Sequence, residues 1–153
     1  GLAKATNFDP ATPTAILWLL ASYNIDLIGK NILVIGRGRL VGAPLIKMLT
    51  SSGLQVKSAD DTTDNILELV AGADVIITAT GSPHTITSSM VSPDTVIVDA
   101  GIASEKGVLV GDVDNDLRER SDISITPLKG GVGPLTICAL FENLILATTK
   151  VEK

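Results

Sequence analysis

The chain has 153 residues, of which 45% are hydrophobic and 19% charged, a composition that suits one globular domain with enough apolar side chains for a core. A net charge of −5 and the lack of any Lys/Arg cluster argue against a nucleic-acid partner, because phosphate backbones are bound by concentrated positive charge. The single cysteine, Cys138, excludes an internal disulfide and a Cys-rich zinc site and, with no visible signal peptide, favours a cytoplasmic setting.

A helix is predicted near the start of the chain. Thr12 is a suitable N-cap, Pro13 suits the first helical position, and apolar residues at helical spacing extend the helix to about Tyr23.

Strands and helices then alternate along the sequence. The predicted strands are residues 31–36, 54–59, 73–81, 95–101, 108–113 and 122–126, and the predicted helices between them are residues 41–52 and 65–72. Unbroken Val/Ile runs are typical of parallel strands that are covered on both faces. This order predicts an α/β fold with a doubly wound, mostly parallel, Rossmann-like sheet and helices on both faces.

The last and most apolar segment is residues 135–148, and it predicts a helix that begins after Gly133 with Pro134 near its first position. The predicted inward stripe is Ile137, Leu140, Phe141, Leu144 and Ile145. Two polar residues in the middle of the segment and its short length argue against a membrane span. We therefore expect a buried core helix, in which Cys138 is a small core residue, and no membrane association.

Three glycines, Gly36, Gly38 and Gly42, separate the first strand from the second helix. The G-x-G-x-x-x-G spacing is one residue longer than the dinucleotide fingerprint, but it lies in the strand–turn–helix context that the fingerprint requires. Such glycines permit a tight turn and close backbone approach, and the following helix start offers free N–H groups to an anion. The pattern indicates a dinucleotide phosphate, with an unusual packing turn as the alternative.

Two more glycines, Gly81 and Gly101, close later strands on the same edge of the sheet, where ligands of such folds bind. Each could also be an ordinary turn glycine. Asp60 and Asp61 follow the second strand, where a carboxylate reads the adenosine ribose and repels a 2′-phosphate. This favours NAD over NADP, although Arg37 and its neighbour Arg39 could instead bind a phosphate, pair with the aspartates or face solvent.

Several motifs together resemble the methylenetetrahydrofolate dehydrogenase/cyclohydrolase family. GRGRLVGAPL resembles that family's G-R-S-x-x-V-G-x-P loop, FDPATPTAI its F-x-P-C-T-P-x-G-I, VGDV its V-G-D-V, and ITPLKGGVGPLT its I-T-P-V-P-G-G-V-G-P-M-T. The resemblance covers residues 8–147. It argues against other two-domain dehydrogenases, whereas a stand-alone dinucleotide-binding or regulatory module stays open.

The resemblance implies that residues 1–153 form the NAD(P)-binding domain, and that folate binding and the catalytic lysine belong to an N-terminal domain absent from this chain. It implies no catalytic residue here, so we expect cofactor binding without turnover, and a homodimer is possible. The implied cofactor-binding residues are Gly36, Arg37, Gly38, Val41, Gly42, Asp61, Thr80, Gly81, Gly101, Ile102 and Thr136. The implied substrate-binding residues at the folate cleft are Gly130, Gly131, Val132 and Gly133.

The chain departs from the family pattern at four positions. Gly38 replaces the usual serine, Ala11 the usual cysteine and Lys129 the usual proline. Asp61 replaces a residue that is serine in NADP-using relatives, which again favours NAD. Lys129 could face an anionic folate tail, a neighbouring domain or solvent.

Other candidates for chemistry are weak. His84 is the only histidine, and no nucleophile motif accompanies it, so we expect a surface turn. Four acids, Asp99, Asp112, Asp114 and Asp116, could suggest a cation, but DVDND lacks the later glycine and glutamate of a calcium loop. We interpret Asp112 as a structural or capping residue, with no metal site.

Overall fold

The computed structural model describes residues 8–151. Its helices are α1 (Ala11–Ser22), α2 (Gly42–Ser51), α3 (Ile66–Ala71) and α4 (Val132–Val151), with short 3₁₀ turns at Ser88–Met90 and Asn115–Glu119. Its strands are β1 (Ile32–Ile35), β2 (Val56–Ala59), β3 (Val75–Thr78), β4 (Val96–Asp99), β5 (Ile102–Glu105), β6 (Val108–Gly111) and β7 (Ser124–Ile125).

The main sheet has five strands in the order β2-β1-β3-β4-β7, and every neighbouring pair is parallel. Chain order reverses between β1 and β3, since β2 extends the sheet to one side and the later strands to the other. In open α/β sheets this switch point is where ligands bind, outside the carboxyl ends of the strands. The predicted doubly wound α/β fold is confirmed.

The core lies on both faces of this sheet. In β1, Ile32 and Val34 pack into a cluster with α1, α2 and the start of α4, whereas Leu33 and Ile35 pack into a second cluster with α3. All four β1 residues are buried. Successive strand residues point to opposite faces, so burial of all four requires cover on both sides, as the unbroken apolar runs predict.

Of the hairpin β5–β6, the sequence predicted only the second strand, β6. The two strands pair antiparallel as a separate sheet, from Ile102 opposite Gly111 to Glu105 opposite Val108. Lys106 and Gly107 connect them, with φ of 50° and 80°. Two positive φ values are typical of the type I′ hairpin turn, but Lys-Gly lacks the strong Asn-Gly or Asp-Gly signal, and β5 was therefore missed.

The predicted face of the last helix is wrong. The five residues of the predicted inward stripe are 56–61% exposed, and Cys138 is exposed as well. The inward face carries Val132, Ala139 and Asn143 instead, and the Asn143 side chain donates a hydrogen bond to the Asp9 carbonyl at 3.0 Å. Small and polar residues let α4 lie close to α1. The bulky apolar residues, which the periodicity analysis took as the core face, lie on the opposite side.

The helix α4 is also longer than predicted. By length and composition alone, Val132–Thr149 could cross a membrane, which corrects the expectation that this segment is too short. One such helix is weak support for a membrane protein, because helices that pack inside soluble proteins pass the same test.

Candidate functional site

The glycine loop is tied to strands on either side of the switch point. Gly36 has φ +101°, and its N–H donates a hydrogen bond to the Ala59 carbonyl at the end of β2, at 2.8 Å. On the other side, a Cβ on Gly36 would lie 2.5 Å from the Ala79 oxygen just after β3. Gly36 therefore needs both its positive φ and its missing side chain.

The other two glycines of the loop have different roles. A Cβ on Gly42 would overlap the Gly36 carbonyl, so this glycine lets α2 begin directly against the loop. Gly38 has no heavy atom within 4 Å of where a Cβ would lie. The open space at Gly38 and the positive end of the α2 dipole favour an anion there, but the Ala43 N–H already donates a hydrogen bond to the Gly38 carbonyl at 3.0 Å, and Pro44 has no N–H.

Arg37 crosses from the loop to the end of β2. Its Nε and Nη2 donate hydrogen bonds to the hydroxyl and the carbonyl of Ser58, at 3.0 and 2.9 Å, and its Nη1 pairs with Asp60 at 2.7 Å. The Asp60 carboxylate also accepts hydrogen bonds from the Thr62 amide and hydroxyl. These Thr62 bonds, with a further contribution from Arg37, hold the pKa of Asp60 below its usual range.

The charged residues of the glycine loop and of the turn after β2 differ in their contacts. Of the two aspartates after β2, Asp60 pairs with Arg37, whereas Asp61 is exposed and has no hydrogen bond or ion pair within residues 8–151. Arg39 is exposed on the loop. Of the possibilities left open for the arginines, pairing with an aspartate holds for Arg37.

Asp99 was considered from the sequence only as a cation candidate, and its role as a buried, paired acid was missed. Asp99, at the end of β4, accepts hydrogen bonds from the backbone N–H groups of Gly101, Asp112 and Val113, and its side chain is 2% exposed. Arg118 pairs with it at 2.6 Å. A carboxylate buried to this degree needs such partners. The signal in the sequence was an acid at the end of an apolar strand, but nothing local identifies Arg118 as its partner.

Asp112 is the second buried acid, as the capping interpretation expects. It is 1% exposed, and its carboxylate accepts the Thr80 N–H at 2.7 Å, which fixes the Thr80–Gly81 turn after β3. Burial raises the pKa of Asp112, and the Asp99 carboxylate adds to the rise, while the bond from Thr80 opposes it.

Two glycines make room for these two acids. A Cβ on Gly101 would overlap the Asp112 carboxylate, and a Cβ on Gly111 would overlap that of Asp99. Because Gly101 precedes β5 and Gly111 ends β6, the two acids lock the base of the hairpin to β4. We call these four residues the acid–glycine interlock.

A groove of about 520 Å³ lies between the carboxyl end of β4 and the start of α4. It is lined by Ala100, Gly101, Leu109, Leu128, Lys129 and the segment 130–134, with Thr12, Thr136, Asp99 and Arg118. All four predicted substrate residues and two predicted cofactor residues, Gly101 and Thr136, therefore line one cavity. The backbone of Ile102 begins β5 beside it.

The remaining predicted cofactor residues lie nearer the switch point. Gly36, Arg37, Gly38, Val41 and Gly42 form the loop after β1, and Thr80 and Gly81 follow the neighbouring strand β3. Asp61 lies at the outer end, after β2, and makes no hydrogen bond or ion pair with the loop in the described part of the chain. The predicted residues thus follow the carboxyl edge of the sheet from β2 to β7.

His84 lies apart from the groove lining. It is exposed, has φ 60°, and its Nδ1 pairs with the Asp114 carboxylate. Within residues 8–151 there is no cluster of three or more His, Cys, Asp or Glu side chains that could hold a metal ion.

A parallel sheet with a glycine-rich loop at its switch point defines the class of this protein, which is that of Rossmann-type dinucleotide-binding domains. Residues 10–152 match the model of one family within that class, the tetrahydrofolate dehydrogenase/cyclohydrolase NAD(P)-binding domain. The chain belongs to this family.

Individual relatives agree with that assignment. The chain is 43% identical to bifunctional protein FolD 2 of Lactobacillus johnsonii over 92% of its length and 50% of the relative's. Its structure is similar to that of the bifunctional enzyme FolD of Campylobacter jejuni, with a TM-score of 0.87 and 37% identity over 95% of this chain and 52% of that one. It is also similar to the Trypanosoma brucei FolD solved with NADP and an inhibitor, with a TM-score of 0.85 and 27% identity over 94% and 52%. The chain spans about half the length of these relatives.

Proposed function

We propose that the chain is the cofactor-binding half of a 5,10-methylenetetrahydrofolate dehydrogenase whose complete form also carries methenyltetrahydrofolate cyclohydrolase activity. The observation that carries the proposal is the packing of Gly36 and Gly42 at the β1/β3 switch point, with a GGVGPLT groove on the same edge of the sheet. Residues 1–153 form the NAD(P)-binding domain, and the folate-binding half belongs to the part of the relatives that this chain does not match.

The chain's own residues bind and orient the dinucleotide. The open loop backbone around Gly38 and the positive end of the α2 dipole bind the pyrophosphate, and the acids after β2 read the adenosine ribose. Thr80, Gly81, Gly101 and Ile102 shape the path toward the nicotinamide end, and the segment 130–133 forms one wall of the folate cleft. The nicotinamide group, when bound, accepts a hydride from the folate substrate.

No residue of this chain is assigned as a general acid or base, so the chain alone binds cofactor without turnover. Calorimetric titration with NAD and NADP, beside a dehydrogenase assay with 5,10-methylenetetrahydrofolate, tests both parts. We expect nucleotide binding and no measurable dehydrogenase activity. If neither nucleotide binds, the cofactor role is contradicted. If the chain alone shows turnover, the assignment of the catalytic residues to the folate-binding half is contradicted.

We infer further that NAD is preferred to NADP, although a relative from Trypanosoma brucei was solved with NADP. Two carboxylates follow β2, and a 2′-phosphate placed there meets like charge, which opposes its binding. The same titration tests this preference, which an equal or tighter Kd for NADP contradicts.

The exposed apolar face of α4 supports two further proposals. In the complete protein the folate-binding half covers it, and the segment before α1 already runs beside α4, where the Asp9 carbonyl accepts the Asn143 amide. In the isolated chain a second copy covers the same face and gives a homodimer.

The protein works in the cytoplasm, as its composition and single cysteine favour.

A further inference from the structure

The ion pair between Arg37 and Asp60 lies at the point where a dinucleotide's adenosine ribose is read, and it involves the first of the two acids after β2. We infer that Asp60, by holding Arg37 against β2, is the residue that excludes a 2′-phosphate, and that Asp61 contributes only its charge. This inference rests on the proposed cofactor role of the loop.

The geometry of Arg37 is the first step. Each of its three guanidinium nitrogens makes a hydrogen bond, two to Ser58 and one to Asp60, at 2.7–3.0 Å. A guanidinium presents its donors in one plane, so the bonds to Ser58 and Asp60 fix the direction of the whole fork. A phosphate that needs a bidentate contact must compete with the Asp60 carboxylate for this fork.

The geometry of Asp60 is the second step. One of its oxygens accepts the Thr62 amide at 3.0 Å and the Thr62 hydroxyl at 2.6 Å, and the other accepts Arg37. The carboxylate is therefore held in the turn after β2 and cannot swing away as an unrestrained side chain would. Its side chain is 25% exposed and that of Arg37 is 45% exposed, so a ligand can reach the pair.

Asp61 provides the contrast. It is adjacent in sequence and carries the same charge, but it is exposed and has no hydrogen bond or ion pair in the described part of the chain. Removing either charge changes the net charge of the loop region by the same amount. Only removal of Asp60 also releases Arg37, so a matched pair of variants separates geometry from net charge.

The experiment compares Asp60→Asn with Asp61→Asn in the full chain, with NAD, NADP and 2′,5′-ADP titrated by calorimetry. We expect the Asp60→Asn change to tighten binding of NADP and 2′,5′-ADP at least tenfold relative to NAD. We expect the Asp61→Asn change to alter that ratio by at most about threefold. Adding Arg37→Gln to Asp60→Asn should abolish the gain, because the released guanidinium is the phosphate's partner.

Equal shifts in the two single variants would show that net charge alone sets the ratio of NADP to NAD affinity. A larger shift in Asp61→Asn would show that Asp61, and not Asp60, excludes the 2′-phosphate. Either result overturns the inference. A gain that survives Arg37→Gln also overturns it. Thermal unfolding of each variant checks folding, and Asp60→Ser serves as a second neutral variant if Asp60→Asn is unfolded. If the unaltered chain binds NAD, the proposed function stands whichever of these results is obtained; if it binds neither NAD nor NADP, the proposed function fails, and this inference with it.

Discussion

Gly42 is the position at which the loop has least room for a side chain. A Cβ there would overlap backbone atoms of Gly36, which cannot move without disturbing the hydrogen bond from its N–H to the Ala59 carbonyl. Gly38, four residues earlier, has open space around it and no positive φ. The same motif therefore contains one glycine required by packing and one that packing does not require.

We predict that Gly42→Ala lowers the free energy of unfolding by about 2 to 4 kcal/mol, because the added methyl group meets backbone rather than a side chain that can turn aside. Gly38→Ala is the matched control and should change it by less than about 1 kcal/mol. Urea unfolding measures both. Similar values for the two variants would contradict this account of the loop.

Asp112 makes the stability of the chain depend on pH. Burial raises its pKa above the usual aspartate value of 3.8, so the folded protein keeps a proton on this group at pH values where the unfolded chain has lost it. The contribution of Asp112 to stability is therefore fully present below 3.8 and is lost as the pH rises through the folded pKa.

Asp112→Asn should remove this pH dependence. Urea unfolding between pH 4 and pH 8 is expected to show a smaller loss of stability with rising pH in the variant than in the unaltered chain. The exposed Asp64→Asn serves as the control for a lost surface charge and should leave the slope unchanged. A steeper loss in Asp112→Asn would mean that the carboxylate is stabilised, not destabilised, in the folded state.

At the scale of elements, the two sides of α4 differ in an unexpected way. Its contact with α1 uses small and polar residues, while Ile137, Leu140, Phe141, Leu144 and Ile145 are exposed. Exposed apolar patches of this kind mark interaction surfaces more often than they support the fold of the chain that carries them.

We predict that Leu140→Gln with Leu144→Gln changes the free energy of unfolding of the monomer by less than about 1 kcal/mol, because both side chains are more than half exposed. The pair should reduce self-association, measured by light scattering across a concentration series. Ala139→Gln, on the buried side of the same helix, is the contrasting variant and should destabilise the monomer. An unaltered chain that stays monomeric at the highest concentration contradicts the homodimer.

The elements also show where sequence reasoning succeeds. Buried parallel strands were found because burial on both faces requires unbroken Val/Ile runs, and β1 and β3 have them. The face of α4 was assigned wrongly because periodicity identifies an apolar side but not which side has a partner. The Asp99–Arg118 pair joins residues 19 positions apart through the hairpin, and no local pattern encodes it.

At the scale of the molecule, two cavities within the described residues lie at opposite edges of the sheet. The larger groove is at the carboxyl edge, whereas a smaller cavity of about 180 Å³ is lined by Asn31 at the start of β1, with Lys57 and Gly72. The rule that ligands bind outside the carboxyl ends of strands assigns the cofactor to the first edge alone.

Hydrogen exchange with and without saturating NAD tests this assignment across the whole chain. We expect slower exchange in residues 36–42 and 80–81, which flank the switch point, because bound nucleotide shields and orders them. Residues 31 and 72, at the opposite edge, should exchange at unchanged rates. Protection centred on the smaller cavity would place the ligand at the wrong edge for this fold.

The acid–glycine interlock has a consequence for how this domain can be altered or recombined. Asp99 occupies the space that a side chain at Gly111 would need, and Asp112 occupies the space at Gly101. Substitutions at the four positions are therefore coupled: a larger residue at either glycine is tolerated only when the opposing acid has been replaced by a shorter residue. A hairpin transplanted into another dinucleotide-binding scaffold will fit only when residues 99–101 and 110–113 are carried over together.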